Sequence, residues 1–577
     1  MNAISMSRPQ PHKPVQKPSM FYFLKKLSRE QLLLLISLSI VATVLVIFVV
    51  APLWAMLRSS VLDSDGLFVG LANFSDYFES ASVWRSLTNT LTLGLTVMFV
   101  VGTLAFFYAY ALTRSCMPYK SVFKVLGMAP ILAPSLLPAI SFIYLFGTQG
   151  VAKEMLLGHS VYGFIGITLG LIFWTFPHAL MILSTSLRTS DARLYESARA
   201  LKTSSFKTFF VVTLPAAKYG LISTLIVIFT LVVCDFGVAK VIGGSYNVLA
   251  TDIFKQVIGQ QNFSMAAVTS LLLLLPALLA FVVDRWVQKK QQNLFDSRSV
   301  PYQPSPEPIR DRLCFVYCAI ISIAVLVVLG MAVYGSLVTF WPWNKALSFN
   351  NYNFAEMSTY GWSPFWNSIE LASWTALLGT VLIFVGAYGM EKGRAFTPLR
   401  RFLQMLSVLP MAVPGMVLGL GYIFFFNDVN NPLNFLYGSM LLLVLNTVIH
   451  YYTVGHMTAI AALKQLPAEL EASAASIKLP QYKLFWKVTL PVCLPAVFDI
   501  VAYLFINALT TTSAVVFLYS TDTIPASVSV LNMDDAGQTG SAAAMAVMIM
   551  IAAMLAKLAH LLFDKLFEGS TQAWRKR

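Results

Sequence analysis

The stretch KTSSFKTFFVVTLP, residues 202–215, returns as KLPQYKLFWKVTLP at residues 478–491. Extending the pair upstream sets ESARALK from Glu196 against ASAASIK from Ala472, and nine of the twenty positions from 196 to 215 are identical. Ordinary composition would give roughly one or two identities in such a window, so a long-period repeat organises the chain. A second pair supports it: PILAP, with Pro130 and Pro134, matches PMAVP, with Pro410 and Pro414, at an offset of 280 instead of 276. The second copy must be four residues shorter in between, and the polar break near 147–160 against 427–436 can absorb that difference.

The chain is 57% hydrophobic and 11% charged, with a mean hydropathy of +0.71. A soluble domain carries roughly 25% charged residues, so this composition belongs in a bilayer, in contact with membrane lipid. Apolar runs fall near 32–57, 87–113, 121–147, 161–186, 219–243 and 264–287. A second set falls near 313–338, 368–390, 402–426, 437–460, 493–518 and 541–563. The expected architecture is all-α, with about twelve transmembrane helices in two parallel six-helix repeats. The first run is too long for a signal-peptide core and is read as a span. The proline pairs open the third run of each half, where they either break or hinge the helix or are tolerated within it.

The expected organisation is a cytoplasmic tail over 1–30, a first repeat over 31–287 with its core at 86–287, and a Pro/Ser/Gln-rich linker over 288–312. A second repeat follows over 313–563, with its core at 366–563, and then a tail over 564–577. Lys and Arg concentrate at the amino terminus, in both repeated loops, in the linker and at the carboxyl terminus. By the positive-inside rule both termini and both loops are cytoplasmic. The net charge of +14 is then a topology signal, and no basic soluble face calls for nucleic acid. Five scattered cysteines give neither a disulfide framework nor a zinc spacing. No GxxxxGK[ST] loop is present, and no nucleophile–base pair stands out, so the chain is expected to act as a transport subunit, not an enzyme.

Each repeated loop combines a helix-forming segment, DARLYESARALK or AELEASAASIK, with a polar turn, a basic aromatic segment and Leu-Pro. The Leu-Pro is expected to mark a boundary, because the residue before proline is pushed from helical geometry. A compact helix at the membrane surface should result; on physical grounds alone it could simply lie on headgroups.

These loops resemble the EAA loop of binding-protein-dependent ABC importer permeases. The matching positions are Glu196, Ala198, Leu214 and Pro215 in the first copy and Ala474, Leu490 and Pro491 in the second. Lys202 and Lys478 stand at the family glycine, and the second copy lacks the aligned Glu, with Glu471 one place earlier. The resemblance implies the type I ABC importer permease fold, an inner-membrane location and no cofactor of its own. It also implies two cytoplasmic ABC ATPases that use ATP and dock on these loops, and an external solute-binding protein.

The candidate solute pathway comprises Asp235, on an otherwise apolar segment, and Thr510, Thr511, Thr512 and Ser513 at the corresponding depth of the second half. An intramembrane charge costs about 2.5–3.5 kcal/mol on insertion scales and usually faces a wet interior. Lys240 is read as reaching the outer interface, and Asp534 and Asp535 as a solvated outer turn. The pattern CDFGVAKVIGG resembles fused permeases for ferric iron, thiamine and phosphonates, and LNMDDAGQTGSAAAMA is most similar to 2-aminoethylphosphonate permeases. The resemblance implies that cargo, with ferric iron, thiamine or polyamine as the alternative. A secondary transporter is a different class of reading, disfavoured by parallel loops and scarce intramembrane acids. A membrane-embedded enzyme or insertase would need a clustered His/Asp/Glu site.

Overall fold

The computed structural model describes residues 27–63, 65–292, 300, 302–393, 395–477 and 479–571. Lys478, most of the amino-terminal tail, the closing WRKR and linker residues 293–299 lie outside the described residues. Because a bilayer core offers no water to backbone groups, the apolar runs fold as helices that satisfy their own N–H and C=O groups. Among the described residues, ten are long and apolar enough to span. In the first half they are α1 (Arg29–Ser59), α2 (Ala81–Arg114), α5 (Phe164–Arg188), α7 (Ser205–Cys234) and α9 (Phe263–Gln288). In the second they are α10 (Pro308–Leu337), α11 (Ser363–Lys392), α14 (Met440–Lys464), α16 (Gln481–Thr510) and α18 (Thr539–Leu566).

The remaining span of each half is broken. α3 (Lys120–Leu132) meets α4 (Leu136–Phe146) at 102°, and α12 (Thr397–Ala412) meets α13 (Gly415–Phe426) at 110°. Pro130 and Pro410 begin 3₁₀ turns, and the chain then becomes extended at Ala133 and Pro414. Between the alternatives open in the sequence, the prolines break the helix.

The broken pairs still cross. The ends of α2 and α5 meet through Arg114, whose guanidinium donates to Leu187 O at 2.5 Å, so the chain returns to the same side after α3 and α4. In the second half Lys392, at the end of α11, pairs at 2.6 Å with Glu471, just beyond α14. The start of α1 reaches the second loop, where Gln481 N–H donates to Glu30 Oε1 at 3.0 Å. From there α1 and α2 cross out and back to the first loop, so both repeated loops lie at one end of the molecule.

The segment between the broken span and its successor is seventeen residues in the first half (147–163) and thirteen in the second (427–439), the four-residue difference read from the sequence. From α5 and α14 onward the boundaries coincide at an offset of 276, through the fifth spans.

Three kinds of boundary differ from expectation. Leu-Pro does not end a helix: Leu214 and Leu490 are helical, and each Leu N–H reaches back five residues, to Phe209 O and Phe485 O. These π turns widen the ladder just ahead of a residue that offers no N–H and crowds the carbonyl four places back, so the basic aromatic segment runs into its span. The same turn precedes Pro52, at Val46–Val50. The fifth spans also stop early, at Cys234 and Thr510 instead of near 243 and 518. The last helix continues to Thr571, past the expected start of the tail at 564.

The two halves exchange their lead helices. α1 packs on the second half, where Tyr422 Oη donates to Phe48 O at 2.9 Å and Phe48 stacks on Phe426. α10 packs on the first half, with Tyr317 Oη donating to Leu104 O at 2.8 Å and Tyr108 hydrogen-bonded to Ser322 at 2.9 Å. A small hairpin, β1 (Val338–Phe340) with β2 (Asn344–Leu347), is an exception to the all-α plan at the far end.

Candidate functional site

The first loop carries α6 (Ala192–Ala200), capped by Asp191, whose carboxylate accepts from Arg193 N–H at 3.0 Å. Ala192, Tyr195 and Ala198 face inward and Glu196 is exposed. Thr203 N–H donates to Ala198 O at 3.0 Å and Lys202 N–H to Arg199 O at 2.9 Å, which closes the helix as a Schellman turn. Lys202 holds the left-handed position at φ +51°, where glycine would avoid a penalty of roughly 1–2 kcal/mol. Replacing the family glycine therefore strains the turn without removing it. The second loop carries α15 (Ala468–Ser476), and Leu479 N–H donates to Ala474 O at 2.9 Å, repeating the longer bond of that turn. Leu214, Pro215, Leu490 and Pro491 lie within α7 and α16, nine residues or more past their first residues, and do not mark a helix boundary.

The two loops are held by different chemistry. Beneath α6, Arg114 is buried and bonds Leu187 O, Ser190 Oγ and, at 3.2 Å, Tyr195 Oη. Its guanidinium lies 4.7 Å from the Tyr302 ring, which itself sits 4.2 Å from the ring of Tyr195. Arg199 donates to Tyr302 Oη and Ser305 Oγ, and Ala192 N–H donates to Val300 O at 2.9 Å. The segment between the halves, read from sequence as an exposed connector, thus straps the first loop where it is described. Its single tyrosine amid Pro and Ser was the available signal. The second loop is held instead by the Lys392–Glu471 ion pair and by Glu30 on Gln481 N–H.

Both loops keep apolar side chains exposed: Leu194, Leu201 and Phe206 on the first, Leu470, Ile477 and Trp486 on the second. Apolar groups gathered beside charged ones at one end form a surface suited to a protein partner.

Deeper in, the fifth spans break against the third. Asp235 follows α7 directly, is buried, and accepts from Val238 N–H at 3.0 Å at the start of α8 (Gly237–Ile242). In the second half Thr510 donates back to Ile506 O at 3.1 Å, Thr511 and Thr512 are buried, and Ser513 is half-buried. The contact between breaks is reciprocal. A methyl on Gly237 would fall 2.5 Å from Ser135 Oγ; a methyl on Gly415 would fall 2.6 Å from Ser513 Oγ. Ser135 corresponds to Gly415 and Gly237 to Ser513, so glycine and serine have changed places across the repeat.

At the far end, Lys240 Nζ binds Asp535 Oδ1 at 2.9 Å, and Phe254 stacks on Phe517 at 6.1 Å. Both contacts join the halves. Asp535, the last residue of α17 (Ala526–Asp535), is solvated as expected but also pairs with Lys240 on α8. At the loop end, Asp499, His560 and Asp564 bring donor atoms within 4.8 Å of one another. With Lys557 Nζ 3.2 Å from His560 Nδ1 and Asp499 3.1 Å from Nε2, the imidazole is held between a cation and a carboxylate. That set ties the fifth span to the sixth; in the first half the same positions carry Ser223, Asp284 and Gln288, with Ser223 donating to Asp284 at 2.5 Å.

Comparison with known proteins bears on both halves. The model of the family described as "Binding-protein-dependent transport system inner membrane component" matches residues 118–293 and 379–569. The chain belongs to that family, and it contains the family's unit twice: it is a multi-span ABC importer permease of the inner membrane. The ferric transport system permease of Actinobacillus pleuropneumoniae is 28% identical over 85% of this chain and 72% of the relative. A putative ferric transport permease of Haemophilus influenzae is 26% identical, over 84% and 78%. A bacterial ABC transporter importing the acidic polysaccharide alginate aligns in structure at 15% identity and a TM-score of 0.38, over 48% of this chain and 99% of that one.

Proposed function

We propose that this chain forms the membrane passage of an importer for ferric iron, with 2-aminoethylphosphonate as the second reading. The observation that carries the iron reading is that both ferric relatives extend across both halves in one polypeptide. The second reading rests on the sequence patterns at 234–244 and 531–546. On either reading the repeated loops face the cytoplasm, as do both termini, and two ATPase subunits dock on α6 and α15. The docking residues are Glu196, Ala198 and Lys202 on the first loop and Glu471, Ala474 and Lys478 on the second, with Leu214, Pro215, Leu490 and Pro491 carrying the motion into the spans. An external binding protein delivers the solute at the far end, and Asp235 and residues 510–513 border its route. ATP is used by the partners.

Deletion of the gene tests the cargo. Loss of uptake of labelled ferric citrate, with growth on 2-aminoethylphosphonate as sole phosphorus source retained, supports iron. The reverse pattern supports the phosphonate and refutes iron.

A further inference from the structure

The fifth span of the second half carries a polar stripe that its counterpart lacks. Tyr503, Asn507 and Thr510 follow one another at four- and three-residue spacing, all half-buried, on one face of α16. The corresponding positions of α7 hold Val227, Leu231 and Cys234, equally half-buried. Same backbone and same exposure, with opposite chemistry, indicate that the difference lies in what the face meets.

The stripe leads to a junction whose polar atoms are only partly used. Asn446 is fully buried; its Nδ2 donates to Ala514 O at 2.9 Å, and its Oδ1 has no partner among the described residues. The hydroxyl of Thr512, 4% exposed, and His450 Nδ1 are likewise unpaired. His450 Cε1 and Ser513 Oγ converge on Gly415, within 3.3 and 2.6 Å of where a methyl there would sit. In the first half Asn446 and His450 become Gly170 and Trp174, and Thr512 becomes Phe236. A buried polar atom without a partner costs about 1–3 kcal/mol, so three at one junction are more than packing alone would retain.

The chemistry of the set is specific. The Tyr503 and Thr512 hydroxyls and the His450 imidazole are neutral and offer hydrogen-bond donors, and Asn507 keeps one amide N–H after donating the other to Tyr503 O; Thr510 spends its hydroxyl on Ile506 O, and the open atom of Asn446 is an acceptor. Neither the stripe nor the junction contains Asp, Glu, Lys or Arg; Asp499 on the same helix turns to His560, and Asp235 across the passage caps α8. A bare multivalent cation needs anionic ligands, which are missing here. Neutral donors suit oxyanions, and without a countercharge they hold them loosely enough to release them.

We propose that the second half alone carries a transient solute subsite, formed by Tyr503, Asn507, His450 and Thr512, that takes an oxygen-rich anionic group. This rests on the importer reading and narrows its cargo to a solute that presents oxyanions: ferric iron in a carboxylate chelate, or a phosphonate.

The test uses the full permease with its ATPase and binding protein in proteoliposomes, reading uptake and binding-protein-stimulated ATP hydrolysis together. The probes are ferric citrate, 2-aminoethylphosphonate and spermidine. Asn507→Asp keeps the side-chain shape and adds a negative charge; it should lower uptake of whichever oxyanion probe the wild type carries by about tenfold, as losing one hydrogen bond of about 1.4 kcal/mol would. ATP hydrolysis should persist, and Leu231→Asn in the first half should leave uptake within about twofold. His450→Trp, which installs the first-half residue, should act like Asn507→Asp. Unchanged oxyanion uptake in both second-half variants overturns the subsite. A wild type that carries spermidine and neither oxyanion overturns the ligand class and leaves the importer reading intact. Absence of both stimulated hydrolysis and uptake in the wild type removes the importer reading, and the subsite with it.

Discussion

The two loops at the common end share a backbone to the residue and almost nothing in how they are fastened. Under α6 lies a buried arginine with an aromatic ring from the inter-half segment over it; under α15 lies an ion pair and the end of a helix from the other half. The repeat specifies helix ends, π turns and breaks. Side chains that meet something outside the repeat are free to differ, and they do.

Removing the core of the first fastening should have the largest effect. Arg114→Ala takes a charged donor from Leu187 O, which keeps only Ser190, leaves Ser190 Oγ and Tyr195 Oη without theirs, and takes the cation from Tyr302, a cost of about 3 kcal/mol. Hydrogen exchange should show α6 losing protection while α15 keeps it; equal loss in both would mean the loops are not separately held. Next comes the reciprocal glycine. Gly237→Ser sets a side chain against Ser135 and should destabilise by about 1–3 kcal/mol, and adding Ser135→Gly, which recreates the second-half pair, should recover most of it. Thermal inactivation of the two variants in detergent checks this, and a double variant no better than the single one breaks the equivalence of the two contacts.

Lys392→Ala should cost about 1 kcal/mol or less, since Glu471 is partly exposed and screened. Its exchange signature should appear in α15 and spare α6. Smallest in stability is Glu196→Lys, expected within about 0.5 kcal/mol because the residue is exposed, yet it should weaken solute-stimulated ATP hydrolysis. Unaltered hydrolysis and transport would leave α6 an interfacial helix with no coupling role.

Much of the backbone was legible in the sequence. Span number came from apolar run length, the repeat from Lys, Phe and Val-Thr-Leu-Pro at fixed spacing, and the four-residue length difference from two offsets. The π turns were not legible, because proline before an apolar run reads as a boundary unless the widened turn ahead of it is known. Nor was the Lys240–Asp535 contact, which joins residues 295 apart, or the seating of Tyr302 on Arg114. Asp235 stood out as a charge in an apolar segment, but its work as a helix cap depends on where α7 stops. Asn507 and His450 could have been found by aligning the halves and asking where polar faces apolar at one depth.

The exchange of lead helices bears on how the polypeptide is made. α1 emerges several hundred residues before the surfaces it covers, on α11 and α13, are synthesised. For that interval the first helix must wait unpaired in lipid, while the first half lacks the cover that α10 will bring. A covalent join between halves guarantees that the waiting helix meets its own partner and not that of a neighbouring molecule. The same clasp implies that two separately expressed halves would reassemble, each holding the other by its opening helix, with the strap on the first loop as the part they would do without.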